Sequence, residues 1–252
     1  RGPNNKPSAM GSDLAVQDIL DAVAHVRERI PIDPDRIYLV GFSGGGHCAL
    51  LMAGRAPELW AGVSAACGIS DLKKWHAQNP GYGRNIVAAT GGNPQEDERA
   101  AAECARRSPV TWLPQATGIA IDIKAGIRDG HPGGGSVPVS QSLEAFNLLA
   151  APEDRIAEEE VAAITRDQAI PEALRGENGG GRLHEGRLKV LFQRQSRNAR
   201  VTLFDGGHQG ADCLQWLSLQ KKGSPAVWDS PADLPAAAAT AGSAADAAST
   251  GR

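Results

Sequence analysis

Short apolar, β-branched runs alternate along the chain with longer stretches in which apolar residues recur every three or four positions. The short runs at residues 37–41, 62–68, 118–126 and 201–204 read as strands. The longer stretches at residues 12–30, 95–106, 139–150, 156–164 and 211–220 read as helices. In the first of these, Leu14, Ile19, Leu20, Val23 and Ala24 form one stripe and Ser12 stands ready to cap it. Residues 71–92, with Trp75, His76, Tyr82 and Arg84 set among Pro and Gly, read as an irregular excursion beyond a strand end. Such a segment either lines a cleft or packs on the surface. Strand and helix in alternation predict a parallel sheet with right-handed crossovers, the α/β class. Residues 151–187 read as an insertion, an acidic helix followed by a loop with Gly179, Gly180 and Gly181. After residue 222 the composition collapses to Ala, Ser, Gly, Pro and Asp, so 1–222 reads as the folded domain and 223–252 as a disordered tail.

One junction in this pattern carries chemistry. The apolar run at 37–40 ends in Gly41-Phe42-Ser43-Gly44-Gly45, the spacing of a nucleophile elbow, and a helix-prone run, Cys48 to Ala53, follows. The turn is expected to be too sharp for a Cβ at either flanking glycine. A serine at its apex sits at a helix N-terminus, where free backbone N–H groups favour a developing negative charge, and the Gly44 N–H is the natural oxyanion donor. The alternative is a structural turn or a phosphate loop, but neither G-x-G-x-x-G nor G-x-x-x-x-G-K-[ST] spacing is present.

An acyl-transfer serine needs a base and an acid, and in a parallel sheet both belong at the carboxyl ends of strands. Asp129 follows the run at 118–126 and His208 follows the run at 201–204 in a Gly-flanked loop. The order Ser43, Asp129, His208 is that of the α/β-hydrolases. Rival acids are Asp122, inside its strand, Asp71, after the second strand, and Asp205, close to His208. His25, His47 and His131 read as structural.

Composition narrows the alternatives. With 41% hydrophobic and 22% charged residues and a net charge of −3, nothing favours nucleic acid or an anionic membrane surface. No run reaches the roughly 18 apolar residues that a membrane span needs. Four cysteines at 48, 67, 104 and 213 form no C-x-x-C pair, so neither a metal site nor a redox motif is expected, and the chemistry calls for no cofactor.

Gly41-Phe42-Ser43-Gly44-Gly45, Arg107-Ser108-Pro109, Gly126-Ile127-Arg128-Asp129 with Val137-Pro138 and Gln141-Ser142, and Gly206-Gly207-His208 together resemble the catalytic domain of the prolyl-oligopeptidase family of serine peptidases. The resemblance spans about residues 12–220. It implies an α/β-hydrolase fold, Ser43 as nucleophile, Asp129 as acid, His208 as base, and a peptide or ester substrate. Two departures stand out. Gly44 occupies the family's usual tyrosine position, and five additional residues separate Asp129 from Val137-Pro138. Esterases and polyester depolymerases share the pattern, and a noncatalytic binding protein on the same fold is a further alternative. In that fold the elbow follows the fifth strand, so strands are expected ahead of Arg1, and the strand at residue 37 is expected to show an unpaired edge.

Overall fold

Alternation along the strands sorts their side chains onto two faces of a six-stranded sheet, ordered β1-β2-β3-β6-β5-β4, in a computed structural model describing residues 9–176, 181–183 and 187–228. The strands are β1 (Tyr38–Phe42), β2 (Gly62–Ala66), β3 (Ala120–Gly126), β4 (Arg182–Leu183), β5 (Leu188–Ser196) and β6 (Ala199–Phe204). The first three and β6 run parallel, while β5 turns back along β6 and β4 pairs antiparallel with β5. Among the described residues β1 pairs with β2 alone and forms one edge; Val40 and Phe42 on it are exposed. This is an α/β architecture, a mostly parallel sheet flanked by helices.

The two faces differ chemically. Val63 and Ala65, Ile121 and Ile123, and Val201 and Leu203 point to one side, where they join Leu50, Leu51 and Met52 of α2 (Gly44–Arg55) and Leu143 and Phe146 of α7 (Ser140–Leu149) in the main core. Ile19, Leu20 and Val23 of α1 (Asp13–Arg29) pack against it, and the Ser12 side chain caps that helix as its sequence predicts. The other side carries Ser64, Asp122, Lys124, Arg200 and Thr202, all buried. Lys124 and Arg200 both pair with Asp122. Trp216 of α9 (Leu214–Ser218) and Trp228, stacked at 5.4 Å, cover this cluster, the Arg200 guanidinium lying 5.0 Å from the Trp228 ring. Buried charges of this kind are retained only where each has a partner.

Several expectations are corrected. Residues 71–92 are not irregular: they form α3 (Leu72–Gln78) and α4 (Pro80–Thr90). Asp71 caps the first, and Asn79, with Pro80 behind it, caps the second. They lead into α5 (Glu98–Arg107) and α6 (Pro109–Trp112), and together these elements surround a second core of Ile69, Leu72, Trp75, Ile86, Cys104 and Val137. Next, the sheet has two strands that the apolar runs did not reveal, β4 and β5, the latter joined to β6 through Arg197 and Asn198. Last, the closing helix α9 is shorter than expected, five residues. The acidic helix is present as α8 (Glu158–Asp167), whereas Gly179, Gly180 and residues 229–252 of the expected tail lie outside the described residues; Ala226 and Trp228, expected in that tail, pack against α9 instead.

Candidate active site

β1 delivers Ser43 into a turn with φ 56° and ψ −120°, a left-handed strained conformation for a residue with a Cβ. The turn is held on both sides: Ser43 N–H donates to Ala66 O of the neighbouring strand, and His47 N–H donates to Ser43 O to start α2. The glycines around it divide into those that are sterically needed and those that are not. A Cβ on Gly41 would collide with the Gly45 carbonyl, and one on Gly46 would come within 2.9 Å of Ala66 O and Gly68 Cα. Gly44 and Gly45 face open space. The expectation that both flanking glycines relieve a clash therefore holds at Gly41 and is corrected at Gly45; Gly46 is the second tight position. Gly44 begins α2, so its N–H is one of the helix's unsatisfied first-turn donors, beside the serine.

The acid and the histidine come from neighbouring strand ends. β3 and β6 run parallel in register to Gly126↔Phe204, and the loops that follow them bring Asp129 and His208 together. His208 Nδ1 lies 2.6 Å from Asp129 Oδ2, and His208 Nε2 lies 2.8 Å from Ser43 Oγ. An imidazole protonated at Nδ1 and bare at Nε2 satisfies both bonds, donating to the carboxylate and accepting from the hydroxyl. Asp129 is fully buried and the His208 side chain is 19% exposed, with the Phe42 ring 4.8 Å from it. The other carboxylate oxygen, Asp129 Oδ1, accepts from Gly130 N–H at 2.9 Å and Val137 N–H at 3.0 Å.

Backbone packing locks the two loops to each other. His208 N–H donates to Gly134 O at 2.6 Å, and Arg128 N–H to Gly206 O at 2.9 Å. A Cβ on Gly126 would strike Gly207 O, and one on Gly207 would strike Gly134 O. Gly135, at φ 140°, lies directly over Asp129 Oδ1 and His208 Cβ. The residues between Asp129 and Val137 thus wrap the acid and the histidine.

The rival residues have other partners. Asp122 is bound by Lys124 and Arg200, Asp71 accepts from Lys74 N–H as a helix cap, and Asp205 pairs with Arg128 at the surface. Burial lowers the His47 pKa to about 4, opposed by its bond to Arg107 O at 2.8 Å, and so holds this ring neutral. His131 Nε2 bonds Thr165 O, and His25 bonds Arg29 on the exposed side of α1.

Cys67, which the sequence did not place at the site, lies beside the acid and the histidine. It follows β2 with φ 48°, and its Sγ lies within 4.8 Å of both the Asp129 carboxylate and a His208 ring nitrogen. The three groups offer the ligand types of a metal site, yet the histidine and carboxylate are already bonded to each other. Burial, with Asp129 beside it, pushes the Cys67 thiol up to about 12, which disfavours the thiolate that a metal ligand must be. Among the described residues no helix is long and apolar enough to cross a membrane.

Residues 11–118 match the model of the prolyl oligopeptidase family, a stretch that contains the elbow and ends just before β3. Similar solved structures include a Pyrococcus horikoshii acylaminoacyl peptidase, 21% identical with a TM-score of 0.47 over 56% of this chain and 22% of that one. A Mycobacterium tuberculosis puromycin-hydrolyzing peptidase is 20% identical with a TM-score of 0.47 over 64% and 24%. A thermostable esterase is 18% identical with a TM-score of 0.38 over 58% and 30%. The chain spans between about a fifth and a third of the length of these three proteins. No curated protein sequence matches it. In the stretch that builds its elbow, this chain resembles the prolyl oligopeptidase family of serine peptidases.

Proposed function

We propose that this chain is a serine hydrolase that cleaves peptide or ester bonds through an acyl-enzyme, with Ser43 as nucleophile, His208 as base and Asp129 as acid. The observation that carries the reading is the continuous bonded line from Ser43 Oγ through the imidazole to Asp129, at 2.8 and 2.6 Å. The family match at the elbow supports it independently.

In this reading the Ser43 hydroxyl attacks the substrate carbonyl while His208 Nε2 takes its proton. The charge that develops on the carbonyl oxygen is met by the Gly44 N–H at the start of α2. Collapse of the tetrahedral intermediate expels the amine or alcohol, which receives the proton back from His208. Water then repeats the sequence on the acyl-enzyme and releases the acid. Asp129 holds the Nδ1–H tautomer and stabilises the imidazolium formed in each half-reaction. A buried carboxylate can do this here because its other oxygen is satisfied by two backbone N–H groups.

The test is labelling with a fluorophosphonate. A single adduct at Ser43, lost in Ser43→Ala and in His208→Gln, is the expected result; an unlabelled Ser43 in folded protein overturns the reading. A panel of p-nitrophenyl esters against aminoacyl and prolyl p-nitroanilides then distinguishes ester from peptide substrates.

A further inference from the structure

The α3–α4 hairpin is bonded to the return of the acid loop more thoroughly than packing alone requires. Gln141, at the start of α7, is fully buried and acts as a hub. Its Oε1 accepts from Ser70 and Asp71 N–H groups, and its Nε2 donates to Gln78 Oε1. One turn earlier, a single carbonyl, Ser136 O, receives two side-chain donors from the hairpin: Trp75 Nε1–H at 2.8 Å and Asn79 Nδ2–H at 2.9 Å.

That carbonyl shares a peptide group with the Val137 N–H, which donates to Asp129 Oδ1. A peptide group is planar and rigid, so fixing its C=O fixes the direction of its N–H. Hydrogen bonds accepted by the oxygen also polarise the group and strengthen the N–H as a donor. The Ser136–Val137 peptide is therefore gripped at both ends, by two side chains on one side and by the acid of the Ser43–His208–Asp129 line on the other. Both gripping residues are built for it. Trp75 is 4% exposed and stacked on Tyr82 at 4.7 Å, which leaves its indole N–H one direction to point. Asn79 divides its amide between two tasks, the oxygen capping α4 by accepting from Gly81 N–H and the nitrogen reaching Ser136.

We propose that Trp75 and Asn79 are positioning residues for hydrolysis, acting on Asp129 through the Ser136–Val137 peptide. The proposal rests on Asp129 being the acid of the triad. It ties the α3–α4 hairpin to the acid although Trp75 and Asn79 reach it only through that peptide. It also accounts for a tether being needed here. Gly130, Gly133 and Gly135 all have positive φ, and a loop so rich in glycine does not hold an N–H still by itself.

The chemistry of each residue allows its donor to be removed alone. Trp75→Phe keeps an aromatic ring against Tyr82 and loses the N–H. Asn79→Asp keeps the capping oxygen and loses the amide donor. In the full chain, the Trp75→Phe/Asn79→Asp double variant is expected to lower kcat about tenfold, the size of effect that one or two ordinary hydrogen bonds carry, with KM nearly unchanged. The second readout is independent of turnover. The His208 Nδ1 proton, followed by NMR in histidine-labelled protein and assigned by its absence in His208→Gln, is expected to broaden in the double variant through faster exchange with water. Trp75→Phe alone serves if the double variant does not fold, with the same changes at about threefold. A folded variant with kcat within twofold of the parent and an unaltered Nδ1 proton overturns the proposal. A parent chain that turns over no substrate counts against the hydrolase reading, and the Nδ1 proton then decides the positioning proposal by itself.

Discussion

Strand β3 holds Asp122 within it and is followed by Asp129, both with side chains wholly buried, and the contrast between them separates structure from chemistry. Asp122 faces two cations. Burial pushes its pKa up, but Lys124 and Arg200 outweigh burial and hold the carboxyl below its usual range. Asp129 faces two backbone N–H groups and one imidazole, whose other nitrogen bonds the Ser43 hydroxyl. Equal burial thus supports opposite roles, and the partner's chemistry decides which.

The largest effect should come from exchanging the catalytic candidate. Asp129→Asn is expected to lower kcat by about 10^4-fold while the protein stays folded, because the amide presents the wrong tautomer to His208; ester turnover alongside circular dichroism checks this. Asp122→Asn should do the reverse. It leaves Lys124 and Arg200 buried around a neutral group, a loss of about 3–5 kcal/mol of stability, while turnover per folded molecule is retained. Urea titration of the two variants side by side measures the contrast, and equal losses of activity would erase it.

A buried histidine extends the comparison to pH. The His47 pKa falls from 6.5 to about 4 on folding, so between those values the unfolded chain binds more protons than the native one. Stability is expected to fall as pH drops from about 6.5 to 4, by on the order of 3 kcal/mol, and to lose no more from this residue below that. His47→Gln should flatten this part of the urea-midpoint profile. The smallest effect belongs to the third acid of the region. Asp205 and Arg128 form an ion pair with both side chains about half exposed, and Asp205→Asn should change stability by less than about 1 kcal/mol and leave turnover alone.

How much of this was readable beforehand depends on the kind of signal. The elbow, the four parallel strands and the positions of Asp129 and His208 at strand ends follow from local patterns, because apolar runs and glycines report directly on buried strands and tight turns. β5 was missed although Leu188, Val190 and Phe192 alternate with Lys189, Leu191 and Gln193. Its partner signal, a glycine or asparagine-glycine hairpin turn, is replaced by Arg197 at φ 50°. In the α3–α4 region the scattered Pro and Gly residues read as irregular chain, whereas Pro80 is the first residue of a helix that Asn79 caps. Cys67 gave no sign of its place beside Asp129 and His208, since that place is set by strand pairing and not by neighbours in sequence.

The four cysteines, none in a disulfide, have a use that their burial creates. Cys104 lies in the second core and Cys213 in the small cluster around Trp216, while Cys48 packs against the main core. Burial raises the pKa of Cys104 and of the partly buried Cys48, which disfavours the reactive thiolate at both. Each hydrophobic cluster therefore carries its own chemical timer. The rate at which each thiol is trapped by a disulfide reagent in native buffer reports how often that cluster opens, and whether the three open together or one by one.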